Sequence, residues 1–310
     1  MKKINGKSEN LFQHTLKRPV HCVGVGLHSG NEMSLSIAPA EVGAGIRFVR
    51  SDLHGPAAHL TALWDQVVDT RMCTVLGNGY GTTIGTIEHL MAALAGAGVD
   101  NAVITLNGPE VPIMDGSAAP FTAMLEWAGL ATQRAPRRAI RILKPVEVTE
   151  GGKSASFAPA PETCYSFEID FDNAVIARQN RSFTLSAEAF RDDISEARTF
   201  GFLHEVDYLR SVGLARGGSL DNAVVISGDT VMNEGGLRFH DEFVRHKILD
   251  AVGDLYLAGA PIIGHFHGCR SGHALNNKLL RALMADESAW CFEPPPASWH
   301  GVGHHAAAVA

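Results

Sequence analysis

The segment His246-Lys247-Ile248-Leu249-Asp250-Ala251-Val252-Gly253-Asp254 carries one imidazole and two carboxylates, each four residues from the next. On a helix turning about 100° per residue, His246, Asp250, Gly253, Asp254 and Leu257 share one side, and Val244, Ile248, Ala251, Val252 and Leu255 form an apolar face on the other. That stripe has the spacing of a metal site. Its plain alternative is a solvated helix face with a weak His–Asp pair at i, i+4.

A second segment, Gly85-Thr86-Ile87-Glu88-His89-Leu90-Met91-Ala92-Ala93-Leu94-Ala95-Gly96, tips the balance toward the metal. Its helical core face is Ile87, Leu90, Met91 and Leu94, which leaves Glu88 and His89 outside it. The side around His89 shows Ala92, Ala93 and Gly96, small residues that suit close approach by another element, so the Glu–His pair is expected to be enclosed. Enclosed ionisable groups need a partner, and a divalent cation is the strongest one available. His89, His246 and Asp250 supply two imidazole nitrogens and a carboxylate oxygen, a common catalytic zinc set that leaves a position open; such sets also take iron. Glu88, beside a ligand but not one itself, is then placed to act as base.

These residues must be positioned by distant elements. Val20 to Gly30 followed by Met33 to Ile37 alternates like a hairpin, and so does Pro145 to Thr149 leading through Gly151-Gly152 to Ala155-Ser156-Phe157-Ala158. Each half then supplies a ligand-bearing helix, a Gly turn, an apolar strand (Ala102 to Leu106; Ala260 to Gly264) and a closing helix (residues 119–129 and 273–285). The order predicts an α+β fold of two similar β-α-α-β layers, with helices between the sheets and the metal at their junction. The expected divisions are a flexible extension over residues 1–12, a first domain at 13–130 with an insert near 46–83, a joint at 131–136, and a second domain at 137–310 with an insert near 196–230 and a C-terminal tail. The second insert reads as strand, helix, strand. Its apolar residues, from Phe202 through Val206, Leu209, Leu214 and Ala215 to Leu220, serve either a satellite core or a channel for an acyl chain.

Composition narrows the function classes. The 310 residues are 45% hydrophobic with a net charge of −7 and no long basic run, which fits a globular chain without a nucleic-acid footprint. Arg134 to Arg141 reads as a solvated linker. Five scattered cysteines without a C-x-x-C argue against a disulfide framework or a cysteine zinc finger and point to a reducing, cytoplasmic setting. No apolar run is long enough to span a membrane. A monomer is the default expectation.

Several long motifs in order resemble the UDP-3-O-acyl-N-acetylglucosamine deacetylases, zinc amidases of lipid A biosynthesis. They are Gly24-Val25-Gly26-Leu27-His28-Ser29-Gly30, Thr86-Ile87-Glu88-His89-Leu90, Val111 to Phe121, Ala197-Arg198-Thr199-Phe200-Gly201-Phe202, Phe243 to Gly253 and Ser271-Gly272-His273-Ala274-Leu275-Asn276-Asn277-Lys278. The resemblance implies zinc on His89, His246 and Asp250, Glu88 as base, Thr199 at the oxyanion, His273 protonating the leaving amine with Asp254 as its partner, and Lys247 near the substrate head group. It implies an acylated sugar nucleotide as substrate, lined by Phe200, Phe202, Val206, Ala215, Gly218 and Ser219. Phe171 resembles a uridine-stacking position, and Arg270 stands where many members are expected to carry Lys, exchanging a point charge for a planar fork near the diphosphate. His273, just past a helix start, feels the positive end of the macrodipole, which disfavours imidazolium, while Asp254 pushes the other way. For an acid, the second effect must win.

Other candidates read as structural. Asp115-Gly116-Ser117 is a turn capping the next helix, and His304-His305 belongs to a solvated tail. His28 stands second to the residues above. Cys73 reads as a small buried residue close to the site.

Overall fold

The computed structural model describes residues 12–293. The expected extension lies outside the described residues except for Phe12, and His304 and His305 lie outside them too. In chain order the first half comprises β1 (Phe12–Leu16), β2 (Val20–Val25), β3 (Glu32–Pro39), β4 (Ile46–Arg50), β5 (His59–Thr61), β6 (Val67–Asp69), β7 (Val75–Gly77), β8 (Thr83–Ile84), α1 (Glu88–Ala97), β9 (Ala102–Leu106), α2 (Ala119–Ala128) and β10 (Leu130–Pro136). The second half comprises β11 (Ile140–Ile142), β12 (Val146–Glu150), β13 (Lys153–Ala158), β14 (Thr163–Asp170), β15 (Arg178–Thr184), the short α3 (Ala187–Ala189), β16 (Phe200–Phe202), α4 (Leu203–Ser211), β17 (Val224–Ser227), β18 (Thr230–Val231), α5 (Glu242–Tyr256), β19 (Ile262–Cys269), α6 (His273–Ala285) and β20 (Trp290–Phe292).

Two main sheets enclose the long helices. The first runs β2-β3-β9-β4-β5, and its strands alternate in and out: Met33, Leu35 and Ile37 on β3 and Ala102, Ile104 and Leu106 on β9 are buried. The second runs β12-β13-β19-β11-β20, with β14 parallel to β19 and β15 beyond it. Phe157, Tyr165, Phe167 and Phe266 turn inward as one aromatic layer, with neighbouring ring centroids about 6 Å apart. Helix α2 lies against β2, α5 against β14 and β15, α6 against β12 and β13, and α1 crosses α5 between them. One apolar core runs continuously from Leu16 to Ala289.

The crossing of α1 and α5 is close because the sequence removed bulk there: a Cβ on Gly253 would fall 2.0 Å from the carbonyl oxygen of Glu88. Elsewhere on α1, a Cβ on Gly96 would fall 2.3 Å from the ring of Phe190. Helix α5 is therefore buried on both sides: His246 is 3% exposed, Asp250 4% and Asp254 3%, so the ionisable stripe is not a solvated face.

Two expected boundaries shift. β4 and β5, inside the stretch expected as the first insert, are strands of the first main sheet; Ile46 and Phe48 point inward and Phe48 pairs in parallel register with Ile104. Only β6-β7-β8 forms a sheet of its own. Residues 131–136, expected as a joint, lie in β10, whose backbone groups bond to β1 from Leu16↔Leu130 to Phe12↔Pro136 rather than to water. In the second insert β16 and β17 are parallel neighbours joined through α4, and none of the residues of α4 is buried. No helix among the described residues is long and apolar enough to cross a membrane.

Candidate active site

Helices α1 and α5 bring three donors to one point. The ligand atoms of His89, His246 and Asp250 all lie within 4.8 Å of one another, and all three residues are buried. Oδ1 of Asp250 is 3.4 Å from Nε2 of His246 and 3.6 Å from Nε2 of His89, and the two imidazoles meet edge to face with centroids 5.0 Å apart. His246 is oriented from behind by a 3.0 Å hydrogen bond between Nδ1 and the Ala197 carbonyl, which turns Nε2 toward the carboxylate. Two imidazole nitrogens and one carboxylate oxygen facing a common point fit a divalent cation.

The electrostatics agree with that fit. Burial pulls the His246 pKa down to about 4, so its ring is neutral at neutral pH. Burial pushes Asp250 upward, but its interactions with His246, the Lys247 ammonium and the His89 ring outweigh it and hold the carboxylate well below its usual range. Lys247 donates from Nζ to Asp250 Oδ2 at 2.6 Å, and this pairing more than offsets burial to hold its own pKa up.

Glu88 opens α1 and is 3% exposed. Its Oε2 accepts the backbone N–H of Thr74 at 3.0 Å, and burial raises its pKa, which makes it a stronger base than a solvated carboxylate. His273 opens α6 behind Gly272. Its Nδ1 bonds to Asp254 Oδ2 at 2.8 Å, and the same oxygen accepts from Asn276 Nδ2 at 2.9 Å. Burial disfavours the imidazolium, yet Asp254 outweighs it and holds the His273 pKa at about 9. The carboxylate thus wins over the helix N-terminus.

Thr199 is held by its backbone. Its N–H donates to the Gly116 carbonyl at 2.8 Å and its carbonyl accepts from Val224 N–H at 2.7 Å. The preceding Arg198 is clamped to the fully buried Glu242 on α5, from Nε at 2.8 Å and from its backbone N–H at 3.0 Å. The Asp115-Gly116-Ser117 turn thereby grips Thr199, the residue that leads into β16. Gly116 has φ +86°, and a Cβ there would sit 2.1 Å from the Asn222 carbonyl oxygen. Asp115 Oδ1 closes the turn by accepting from Ser117 N–H and Oγ–H at 3.0 and 2.8 Å.

Residues 13–285 match the family model for LpxC, UDP-3-O-acyl N-acetylglycosamine deacetylase. A UDP-3-O-acyl-N-acetylglucosamine deacetylase of Phenylobacterium zucineum is 52% identical over 280 residues, covering 90% of this chain and 96% of the relative. Enzymes of that name from Shewanella halifaxensis and Shewanella baltica are 51% and 52% identical over 282 residues, each match covering 90% of this chain and 92% of the relative. The chain belongs to this deacetylase family.

In this family member, a cavity of about 610 Å³ opens onto the three donors. Glu88, Thr199, Lys247 and His273 line it, and so do Phe171, Phe200, Phe202, Val206, Ala215, Gly218, Ser219 and Arg270. Asp254 lies behind His273 and does not line it. Phe171 packs edge-on to Phe200 at 5.8 Å and lies 6.3 Å from Phe202. Arg270 donates from Nη2 to the Gly152 carbonyl at 2.7 Å, beside Lys153, which also lines the cavity. His28 lines it as well, and burial lowers its pKa. Cys73 is buried, and its thiol is pushed up to about 12 by burial and the Glu88 charge, so it is inert at neutral pH.

Sequence reasoning passed over Thr74, Asn276 and Lys153. Asn276 had a signal, lying three residues after His273 on the same helix, and Lys153 follows a Gly-Gly turn. Thr74 had none, because its hydroxyl bonds to Asp254, 180 residues away.

Proposed function

We propose that this protein hydrolyses the 2-acetamido group of a UDP-N-acetylglucosamine carrying a 3-O-(3-hydroxyacyl) chain and releases acetate, the deacetylation step of lipid A biosynthesis. The observation that carries the reading is the convergence of His89, His246 and Asp250 beside a desolvated Glu88, in a cavity also lined by apolar residues such as Phe200, Phe202 and Val206. Family membership fixes the class of reaction.

His89, His246 and Asp250 would hold a zinc ion, which when bound polarises the amide carbonyl and makes water more acidic. Glu88 accepts the proton of the attacking water, a task suited to a carboxylate whose burial has raised its proton affinity. The Thr199 hydroxyl donates to the oxygen that gains charge as the carbonyl carbon becomes tetrahedral. His273, still protonated at neutral pH, delivers a proton to the amide nitrogen, and that lets the amine depart while acetate stays behind.

The remaining residues bind. Lys247 supports the sugar head group, Arg270 meets the diphosphate and Phe171 stacks on the uracil. Phe200, Phe202, Val206, Ala215, Gly218 and Ser219 line a passage for the acyl chain. The site is complete within one chain, which supports a working monomer, and the free cysteines support the cytoplasm as its location.

Metal analysis joined to an acetate-release assay tests the reading. The expected outcome is one zinc per chain and turnover of the 3-O-acylated sugar nucleotide far above that of UDP-N-acetylglucosamine itself. Equal turnover of both would redirect the assignment to an amidase for another N-acyl sugar.

A further inference from the structure

Thr74 lies at the end of the loop between β6 and β7, in the small sheet that the first half adds beside its main one, and it is 1% exposed. It bonds to Glu88 and to the carboxylate that pairs with His273. Its backbone N–H donates to Glu88 Oε2 at 3.0 Å, and its hydroxyl donates to Asp254 Oδ1 at 2.6 Å. Asp254 is thereby gripped on both oxygens, since Oδ2 accepts from Asn276 Nδ2 at 2.9 Å and bonds to His273 Nδ1 at 2.8 Å. Asn276 is fixed in turn, its Oδ1 accepting from Ser271 Oγ at 2.6 Å. A carboxylate held at both oxygens cannot rotate, so the lone pair that meets His273 has one direction.

The loop itself is constrained. Met72 adopts φ +67°, a left-handed conformation uncommon for a side chain of that size, and Asp69 Oδ1 accepts the Arg71 backbone N–H at 2.9 Å to close the turn. These contacts aim Thr74 across the junction toward α5 in the other half.

We propose that Thr74 is a positioning residue that ties the two ends of the proton path together, its amide holding Glu88 and its hydroxyl fixing the carboxylate that orients His273. The inference rests on the assignment of Glu88 as base and His273 as acid given above. Thr74 touches no substrate atom; it acts through Asp254. It gives the small first-half sheet a function that its sequence does not advertise.

Thr74→Val tests this, because it preserves shape and the amide bond to Glu88 while deleting only the hydroxyl. A lost hydrogen bond to a buried charge predicts a fall in kcat of about ten- to a hundredfold, with KM and bound metal unchanged. Thr74→Ser, which keeps the hydroxyl, is expected to return kcat to within about threefold of wild type. In a His273→Ala background Thr74→Val is expected to cost less than about twofold, because the group it positions is gone. An equal loss in both backgrounds, or no loss in the wild-type background, overturns the proposal. If Thr74→Val does not fold, Thr74→Ala enters the same cycle. Wild-type turnover by His273→Ala alone would overturn the acid assignment and this inference with it, whereas an inactive His273→Ala beside an indifferent Thr74→Val overturns only the role of Thr74.

Discussion

Asp254→Asn isolates the charge that keeps His273 protonated. In the native site burial pulls the His273 pKa down, and the Asp254 carboxylate, 2.8 Å from Nδ1, more than reverses that and holds it at about 9. An asparagine keeps a hydrogen-bonding side chain of the same size but removes the largest of the charges that oppose burial, so the pKa falls toward the ordinary 6.5, with Glu88 and Asp250 still holding it up in part. At pH 8 the wild-type ring is about 90% protonated, and a variant ring whose pKa fell all the way to 6.5 would be only about 3% protonated, so about thirtyfold is the upper bound on the loss of kcat from this cause. At pH 6 both rings are largely protonated and the gap closes to less than about twofold. A pH–rate profile of kcat on the acylated substrate reads this directly: the alkaline limb moves down from near pH 9 toward pH 6.5. A variant profile that is lower by a constant factor, with the limb in place, would refute the argument.

The same shift has a stability consequence whose sign is fixed. A histidine whose folded pKa lies above its unfolded value contributes stability that is fully present below pH 6.5 and is lost as pH rises through 9. The displacement corresponds to about 3 kcal/mol. In the metal-free protein, urea unfolding at pH 6 and pH 9.5 is expected to show wild type losing that increment and Asp254→Asn losing clearly less of it, since only Glu88 and Asp250 then hold the His273 pKa up.

Two further substitutions probe the base and the helix crossing. Glu88→Ala leaves His89, His246 and Asp250 untouched, so metal content should stay stoichiometric while kcat falls about 10²- to 10⁴-fold; undiminished turnover removes Glu88 from the mechanism. Gly253→Ala drives a Cβ to 2.0 Å from the Glu88 carbonyl oxygen, a backbone atom that cannot swing aside. Prying α1 from α5 is expected to cost about 1–3 kcal/mol in urea unfolding and to lower activity as well, because the ligands sit on those two helices. Unchanged stability would mean that the crossing adjusts more freely than its packing indicates.

What was legible in the sequence follows from range. Helix α6 begins and ends at residues 273–285 as read, and α1 and α5 are signalled by spacing within a few turns. The meeting of His89 with His246 was inferable only because small residues beside His89 announced a close neighbour. Contacts that span the chain left no local mark. β4 joins the main sheet by parallel pairing with β9, more than fifty residues on, so the sequence pattern of a strand could not say which sheet owns it. β10 was read as a joint because its partner β1 lies at the far end of the first half. The stripe on α5 was correctly seen as polar, but that its polar side would be as dry as its apolar side depends on α1, which a wheel drawn for one helix cannot include. At His273 the residues named two opposing influences, and only the 2.8 Å approach of Asp254 decides between them.

The division of the site between the halves explains why its ionisable groups can be so dry. Glu88 and His89 come from α1, His246, Asp250 and Asp254 from α5, His273 from α6, and Thr74 from the loop before β7, so closing the two halves together is what removes water from them. The same closure moves Glu88 and His273 in the same direction by different means, the carboxylate through lost solvation and the imidazole through a gained counter-charge. One becomes a better proton acceptor and the other retains a proton to give. A solvated surface holding the same residues would leave both near their ordinary pKa values, with a weak base and an acid largely deprotonated at pH 7.5. In the proposed mechanism, burial at the junction thus tunes both the base and the acid as well as enclosing them.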